Sequence, residues 1–191
     1  MNYDDPKTAL REVFGYEDFR SGQLEVIEAV LDGQDLLAIM PTGSGKSLCY
    51  QLPACMLEGT ALVVSPLIAL MQDQLDGMRR LGVSAALINS SLSRRQRRQR
   101  IAQLEEGSFD IVYVAPERFR SDRFQQAVER ADISLLAIDE AHCVSHWGHD
   151  FRPDYLALSD AREMLGEPPV LGLTATATRQ VQRDILQQLG L

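Results

Sequence analysis

Six short stretches of the chain are apolar at nearly every position: Leu36 to Met40, Ala61 to Ser65, Ala85 to Ile88, Ile111 to Val114, Leu135 to Asp139 and Val170 to Thr174. Alternation would mark strands with one wetted face. Unbroken apolar runs of this length fit strands buried on both faces. The segments between them carry helical spacing. Leu67, Leu70, Met71, Leu75 and Met78 form one apolar stripe, with Ser65 and Pro66 suited to its cap and first turn and Gly82 to its end. Thr178 is suited to cap a last helix with Val181, Ile185, Leu186 and Leu189 facing inward. Strand and helix repeated in this way predict one α/β domain over residues 1–191, with a mostly parallel central sheet and helices on both faces. Ligands of such sheets sit beyond the carboxyl ends of the strands. The residues that follow each strand therefore carry the functional reading.

After the first strand comes Pro41-Thr42-Gly43-Ser44-Gly45-Lys46-Ser47, followed by a helical pattern through Leu57. Gly43 and Gly45 let the backbone curl so that several N–H groups face one phosphate, and the helix N-terminus adds partial positive charge. Lys46 can reach the β and γ phosphates, and the Ser47 hydroxyl can ligate magnesium. The strict pattern has Gly where this chain has Met40. An ordinary glycine turn would not need a strand before it and a helix after it, so the segment reads as a nucleoside triphosphate site. The buried run Ile133 to Ile138 ends in Asp139-Glu140-Ala141-His142. Alone, those acids would read as a solvated strand end. Beside a phosphate loop, Asp139 is the expected magnesium-holding carboxylate and Glu140 the base for the attacking water, with Lys46 completing the catalytic set.

Composition narrows the setting. No apolar run approaches the roughly 18 residues of a membrane span. The first residues, Met1 to Asp5, are acidic where a secretory or transit signal is basic. Cys49, Cys55 and Cys143 are odd in number and lack paired zinc spacing, which predicts reduced thiols and a cytoplasmic protein. The net charge of −8 argues against a grip on nucleic acid through an overall basic field, so any such contact is local.

Taken together, Gly43-Ser44-Gly45-Lys46-Ser47 and Asp139-Glu140-Ala141-His142 resemble the motor core of superfamily-two helicases. The segment from Cys143 to Tyr155, with Trp147, Phe151 and Arg152, resembles the aromatic-rich loop of RecQ-family DNA helicases, with His146 where glutamine is usual. The resemblance implies a RecA-like fold, ATP and magnesium as cofactors, and single-stranded or forked DNA as partner. It covers essentially the whole chain but only the first of the family's two motor domains. It also implies that Tyr16 stacks on the adenine, Arg20 helps hold the nucleotide and Gln23 reads the adenine edge, within a Phe14 to Gln23 segment whose two phenylalanines read as core. Ser65, Pro66 and Gln74, then Asn89, then Pro116 and Arg118, resemble strand-contacting motifs that use much backbone. Thr174 and Thr176, with His142, resemble the element that links nucleotide state to domain movement. Trp147 and Phe151 follow neither helical nor strand periodicity, and rings beside an arginine can stack bases at roughly 1–3 kcal/mol each. Leu67, Leu70 and Met71 read as core rather than contact.

Two features stay outside this pattern. His142, His146 and His149 lack the cysteine or carboxylate spacing of a zinc site. The run Arg94, Arg95, Arg97, Arg98 and Arg100 reads as the solvated side of a helix that buries Ile101 and Leu104, with contact to a flanking duplex or an acidic partner as the alternative. No second motor domain, zinc module or winged helix is legible in the sequence. The expectation is a monomeric first motor domain that binds nucleotide but unwinds nothing alone. An RNA helicase motor and a non-catalytic nucleotide- or partner-binding module are the alternatives. A small kinase or GTPase is disfavoured, because no guanine-reading Asn-Lys-x-Asp segment is present.

Overall fold

The computed structural model describes Tyr3 and residues 5–191. The six apolar runs become strands β1 (Leu36–Ile39), β2 (Thr60–Val64), β3 (Ala85–Ile88), β4 (Ile111–Val114), β5 (Ile133–Ile138) and β6 (Val170–Thr174). They form one sheet in the order β1-β6-β5-β2-β4-β3, and every neighbouring pair is parallel. The helices are α1 (Pro6–Ala9), α2 (Gln23–Leu31), α3 (Leu48–Met56), α4 (Ile68–Arg80), α5 (Arg94–Glu105), α6 (Asp122–Val128), α7 (Ala161–Met164) and α8 (Arg179–Leu189).

The unbroken apolar runs have a simple cause. Leu62, Val64, Val112, Val114, Leu136 and Ile138 point to one face, where Ile101 and Leu104 of α5, Phe124 of α6 and Val181, Ile185 and Leu189 of α8 cover them. Ala61, Val63, Ile111, Tyr113, Leu135 and Ala137 point to the other face, against Val30 of α2, Tyr50 and Ala54 of α3 and Met71, Leu75 and Met78 of α4. Both faces are dry, so neither parity of any central strand can be polar. Phe14 and Phe19 are half-buried against a third cluster under the N-terminal helices.

Two sequence expectations change. Pairing of β2 runs on through Ser65, whose N–H donates to the Val114 carbonyl at 3.2 Å, so the chain turns only after Pro66 and α4 starts at Ile68. Ser65 is therefore buried at a strand end rather than capping a helix, and Leu67, read as core, is exposed. The arginine run also divides. Arg94, Arg95 and Arg98 are exposed, while the Arg97 guanidinium donates to the Leu92 carbonyl at 3.0 Å. Arg100 donates to the Leu87 carbonyl and Arg79 to the Ala85 carbonyl, so these two side chains cover acceptors on edge strand β3. An uncovered strand edge invites pairing with other chains.

Candidate nucleotide and strand-contact site

The phosphate loop is held from outside as well as by its glycines. Gly43 and Gly45 both adopt φ +82°, a left-handed conformation that L side chains rarely adopt. Gln23, at the start of α2 and only 3% exposed, accepts from the Arg20 N–H at 2.8 Å. Its Nε2 donates to the Ser44 carbonyl at 3.1 Å and the Gly45 carbonyl at 3.0 Å. A Cβ on Gly45 would lie 2.6 Å from that nitrogen. The Arg20 guanidinium donates to the Gly43 carbonyl at 2.6 Å. Arg20 and Gln23 thus clasp the loop itself. With Tyr16, Ser47, Gln51 and Gln74 they line a cleft of about 480 Å³. Met40 fits without its expected glycine because its side chain turns into the core, with its sulfur 3.8 Å from Cys49 Sγ. The Lys46 ammonium donates to the Met40 carbonyl at 3.1 Å.

Asp139 follows β5, which lies two strands or about 10 Å from β1, so the acid and the phosphate loop emerge at the same end of the sheet. Its carboxyl is pushed up to about 6, first by burial and then by Glu140, while Lys46 pulls it back down. Lys46 and Asp139 therefore share one field. The buried Tyr155 hydroxyl donates to the Asp139 carbonyl at 3.0 Å and fixes the strand end. Glu140 adopts φ 51°, one of two non-glycine residues with positive φ among those described. This local strain turns its side chain back toward His142, whose Nδ1 lies 3.3 Å from Glu140 Oε2 and 2.9 Å from Thr174 Oγ1. Burial holds the His142 imidazole below its ordinary pKa. The Thr174 hydroxyl donates to the Thr176 carbonyl at 3.2 Å, and its 2.9 Å contact with His142 ties the segment after β5 to the end of β6. A buried carboxylate disfavoured as an anion, an acidic neighbour and a loop bearing the Ser47 hydroxyl suit a hard divalent cation such as magnesium.

The aromatic segment stands beside these groups. Trp147 is 67% exposed, so it serves no core. His146 stacks on Phe151 with centroids 4.0 Å apart, and His142 on His149 at 4.5 Å. Arg152 clamps Asp150 through two nitrogens at 2.9 and 3.1 Å and reaches the Pro66 carbonyl at 3.5 Å. That guanidinium occupies Asp150 where His142, Cys143 and Asp150 converge within 4.8 Å.

The remaining strand-contact candidates fare unequally. Pro66 and Thr176 are accessible beside Arg152 and His142, and Arg118 is half-buried behind a buried Pro116. Asn89 is fully buried, and its Oδ1 accepts from the Ser91 N–H and hydroxyl at 3.1 and 2.7 Å, so its side chain does not face solvent. Gln74 accepts from the Gln51 amide and lines the cleft beside the phosphate loop rather than the surface near Trp147. Asp184 escaped the sequence reading, as did the part Tyr155 plays at the Asp139 carbonyl. The only signal for Asp184 was an acid three residues after Val181, inside the apolar face of α8.

A wholly parallel sheet, a glycine loop closed on a lysine and paired acids two strands away define a P-loop α/β domain of the helicase-motor class. The chain belongs to the DEAD/DEAH box helicase family, whose sequence profile matches residues 20–184. It is 47% identical over 184 residues to the ATP-dependent DNA helicase RecQ of Haemophilus influenzae and 49% identical over 187 residues to RecQ of Bacillus subtilis. These matches cover 96% and 97% of the chain but 30% and 32% of the relatives, so the chain spans about a third of their length. Its fold is similar to that of the helicase MrfA bound to DNA and AMPPNP (TM-score 0.76, 20% identity, 98% of this chain and 28% of that one). It is likewise similar to Mycobacterium smegmatis Lhr bound to single-stranded DNA and AMP-PNP (TM-score 0.72, 24% identity, 96% of this chain and 27% of that one). Among the described residues no helix is long and apolar enough to cross a membrane.

Proposed function

We propose that residues 1–191 form the ATP-binding motor domain of a monomeric, cytoplasmic, ATP-dependent 3′-to-5′ DNA helicase. In this reading Tyr16 packs on the adenine, while Pro41 to Ser47 wrap the phosphates and Lys46 neutralises them. Ser47 and Asp139 would hold magnesium, which would supply charge neutralisation and orientation of the phosphates. Glu140 takes the proton of the attacking water, and His142 with Thr174 and Thr176 carries the state of that site toward the next domain. Trp147, Phe151 and Arg152 meet single-stranded or forked DNA with the accessible backbone around Pro66. The observation that carries the proposal is the placement of the phosphate loop with Lys46 and of Asp139 and Glu140 at the same end of one parallel sheet, two strands apart.

A second motor domain would supply the other wall of the cleft and an arginine finger, a contribution of roughly 10³–10⁵ in rate in related systems. The chain alone is therefore expected to bind nucleotide, to hydrolyse it very slowly and not to unwind DNA. The test compares ATPase rates of the chain and its Glu140→Gln variant, with and without single-stranded DNA, alongside titration of a fluorescent ATP analogue. Saturable magnesium-dependent binding in both, with hydrolysis only in the parent, supports the reading. Absence of binding, or equal hydrolysis by both, sinks it. Competition between single-stranded DNA and RNA separates this function from an RNA helicase motor.

A further inference from the structure

We infer that Asp184 is the positioning residue of Trp147: its carboxylate, acting through the Ser145 hydroxyl, fixes the backbone from which the indole projects. The inference deepens the reading of Trp147 as a base-stacking ring and takes its functional meaning from it. Asp184 lies on the flank of α8 that carries Val181, Ile185 and Leu189 into the core. A carboxylate there faces protein. Among the described residues no cation pairs with it, and its strongest bond is to one neutral hydroxyl, Ser145 Oγ at 2.6 Å, with Gln188 Nε2 farther off at 3.4 Å.

The direction of that bond decides the rest. An ionised carboxylate can only accept, so Ser145 donates its proton to Asp184. The hydroxyl oxygen then offers its lone pair elsewhere, and it receives the Trp147 N–H at 3.2 Å. Ser145 is itself fully buried, its N–H donates to the His142 carbonyl at 3.1 Å, and its own carbonyl receives the Gly148 N–H at 3.0 Å. A Cβ on Gly148 would lie 2.6 Å from the His142 carbonyl oxygen, so the turn closes only with glycine there. The turn is pinned at both ends, to the Asp-Glu-Ala-His segment through His142 and to α8 through Asp184. The exposed indole meanwhile stands beside a cavity of about 400 Å³ lined by His149, Thr176, Thr178 and Val181. Its backbone is the part the fold sets in advance.

The chain has one tryptophan, so its fluorescence reports this loop alone when excited beyond the tyrosine band. Time-resolved anisotropy of the indole and its quenching by oligothymidylate are measured for the parent, Asp184→Ala, Ser145→Ala and the double variant. Asp184→Ala and Ser145→Ala are expected to speed local indole motion to the same degree. Each should weaken oligothymidylate binding by about 2- to 10-fold, the cost of immobilising one side chain at binding. The double variant should match either single one, because both cut the same link. Asp184→Asn, which keeps an acceptor oxygen, should restore part of the restraint. Ile185→Val on the same helix lowers the melting temperature without touching the link and should leave indole motion at the parent value. Parental indole motion in Asp184→Ala, or the same change in Ile185→Val, overturns the inference. If the variants loosen the indole but oligothymidylate does not quench it even in the parent, the positioning role stands and the base-stacking reading falls.

Discussion

Gln23 offers the sharpest test of how the nucleotide site is built. Its amide is fully used by the protein, accepting from Arg20 N–H at 2.8 Å and donating to the Ser44 and Gly45 carbonyls at 3.1 and 3.0 Å. At about 1 kcal/mol net for each buried bond, Gln23→Ala removes about 3 kcal/mol from the order of the phosphate loop. If that order is needed for binding, affinity falls by as much as about 100-fold. Gln23→Glu is the more telling change. It keeps the acceptor for Arg20 but sets a carboxylate against two carbonyl oxygens, so it should weaken binding at least as far. The assay is displacement of a fluorescent ATP analogue by ATP and, separately, by magnesium tripolyphosphate, which carries no base. A loop-clasping Gln23 predicts the same loss for both competitors. Should tripolyphosphate bind the variants as it binds the parent while ATP weakens, Gln23 acts on the adenine and the argument fails.

Three further outcomes follow from named contacts. Tyr155→Phe leaves the buried Asp139 carbonyl without its 3.0 Å donor, at a cost of about 1–2 kcal/mol, which lowers the melting temperature by about 2–8 °C; an unchanged melt would refute that role. Arg100→Ala uncovers the Leu87 carbonyl on edge strand β3 and should cost about 1 kcal/mol, whereas exposed Arg98→Ala should stay within about 0.5 kcal/mol, so equal chemical-denaturation midpoints would contradict the division of the arginine run. Burial pushes the Cys49, Cys55 and Cys143 thiols from 9.0 up to about 12, which favours the protonated form in the folded state. Their contribution to stability is thus complete below about pH 9 and declines as pH rises toward 12, and at pH 8 a thiol reagent should modify Cys49 and Cys143 only after unfolding.

The sequence by itself determined the sheet, the phosphate loop and the paired acids. Strands dry on both faces must be apolar at every position, so Leu62 and Val63 announce a central strand although they point in opposite directions. The glycines of the loop and the position of Asp139 beyond an apolar run are equally local facts. Whether Asn89 and Gln74 face solvent is not local. Asn89 turns inward to close its own loop with Ser91, and Gln74 meets Gln51 from another helix, so no spacing within one segment encodes either. The same holds for Tyr155 on the Asp139 carbonyl and for the late turn at Pro66, which sheet pairing with Val114 enforces. Sequence spacing reports what one segment buries. Only the tertiary structure decides which distant donor meets which acceptor, because those bonds join residues the chain brings together by folding.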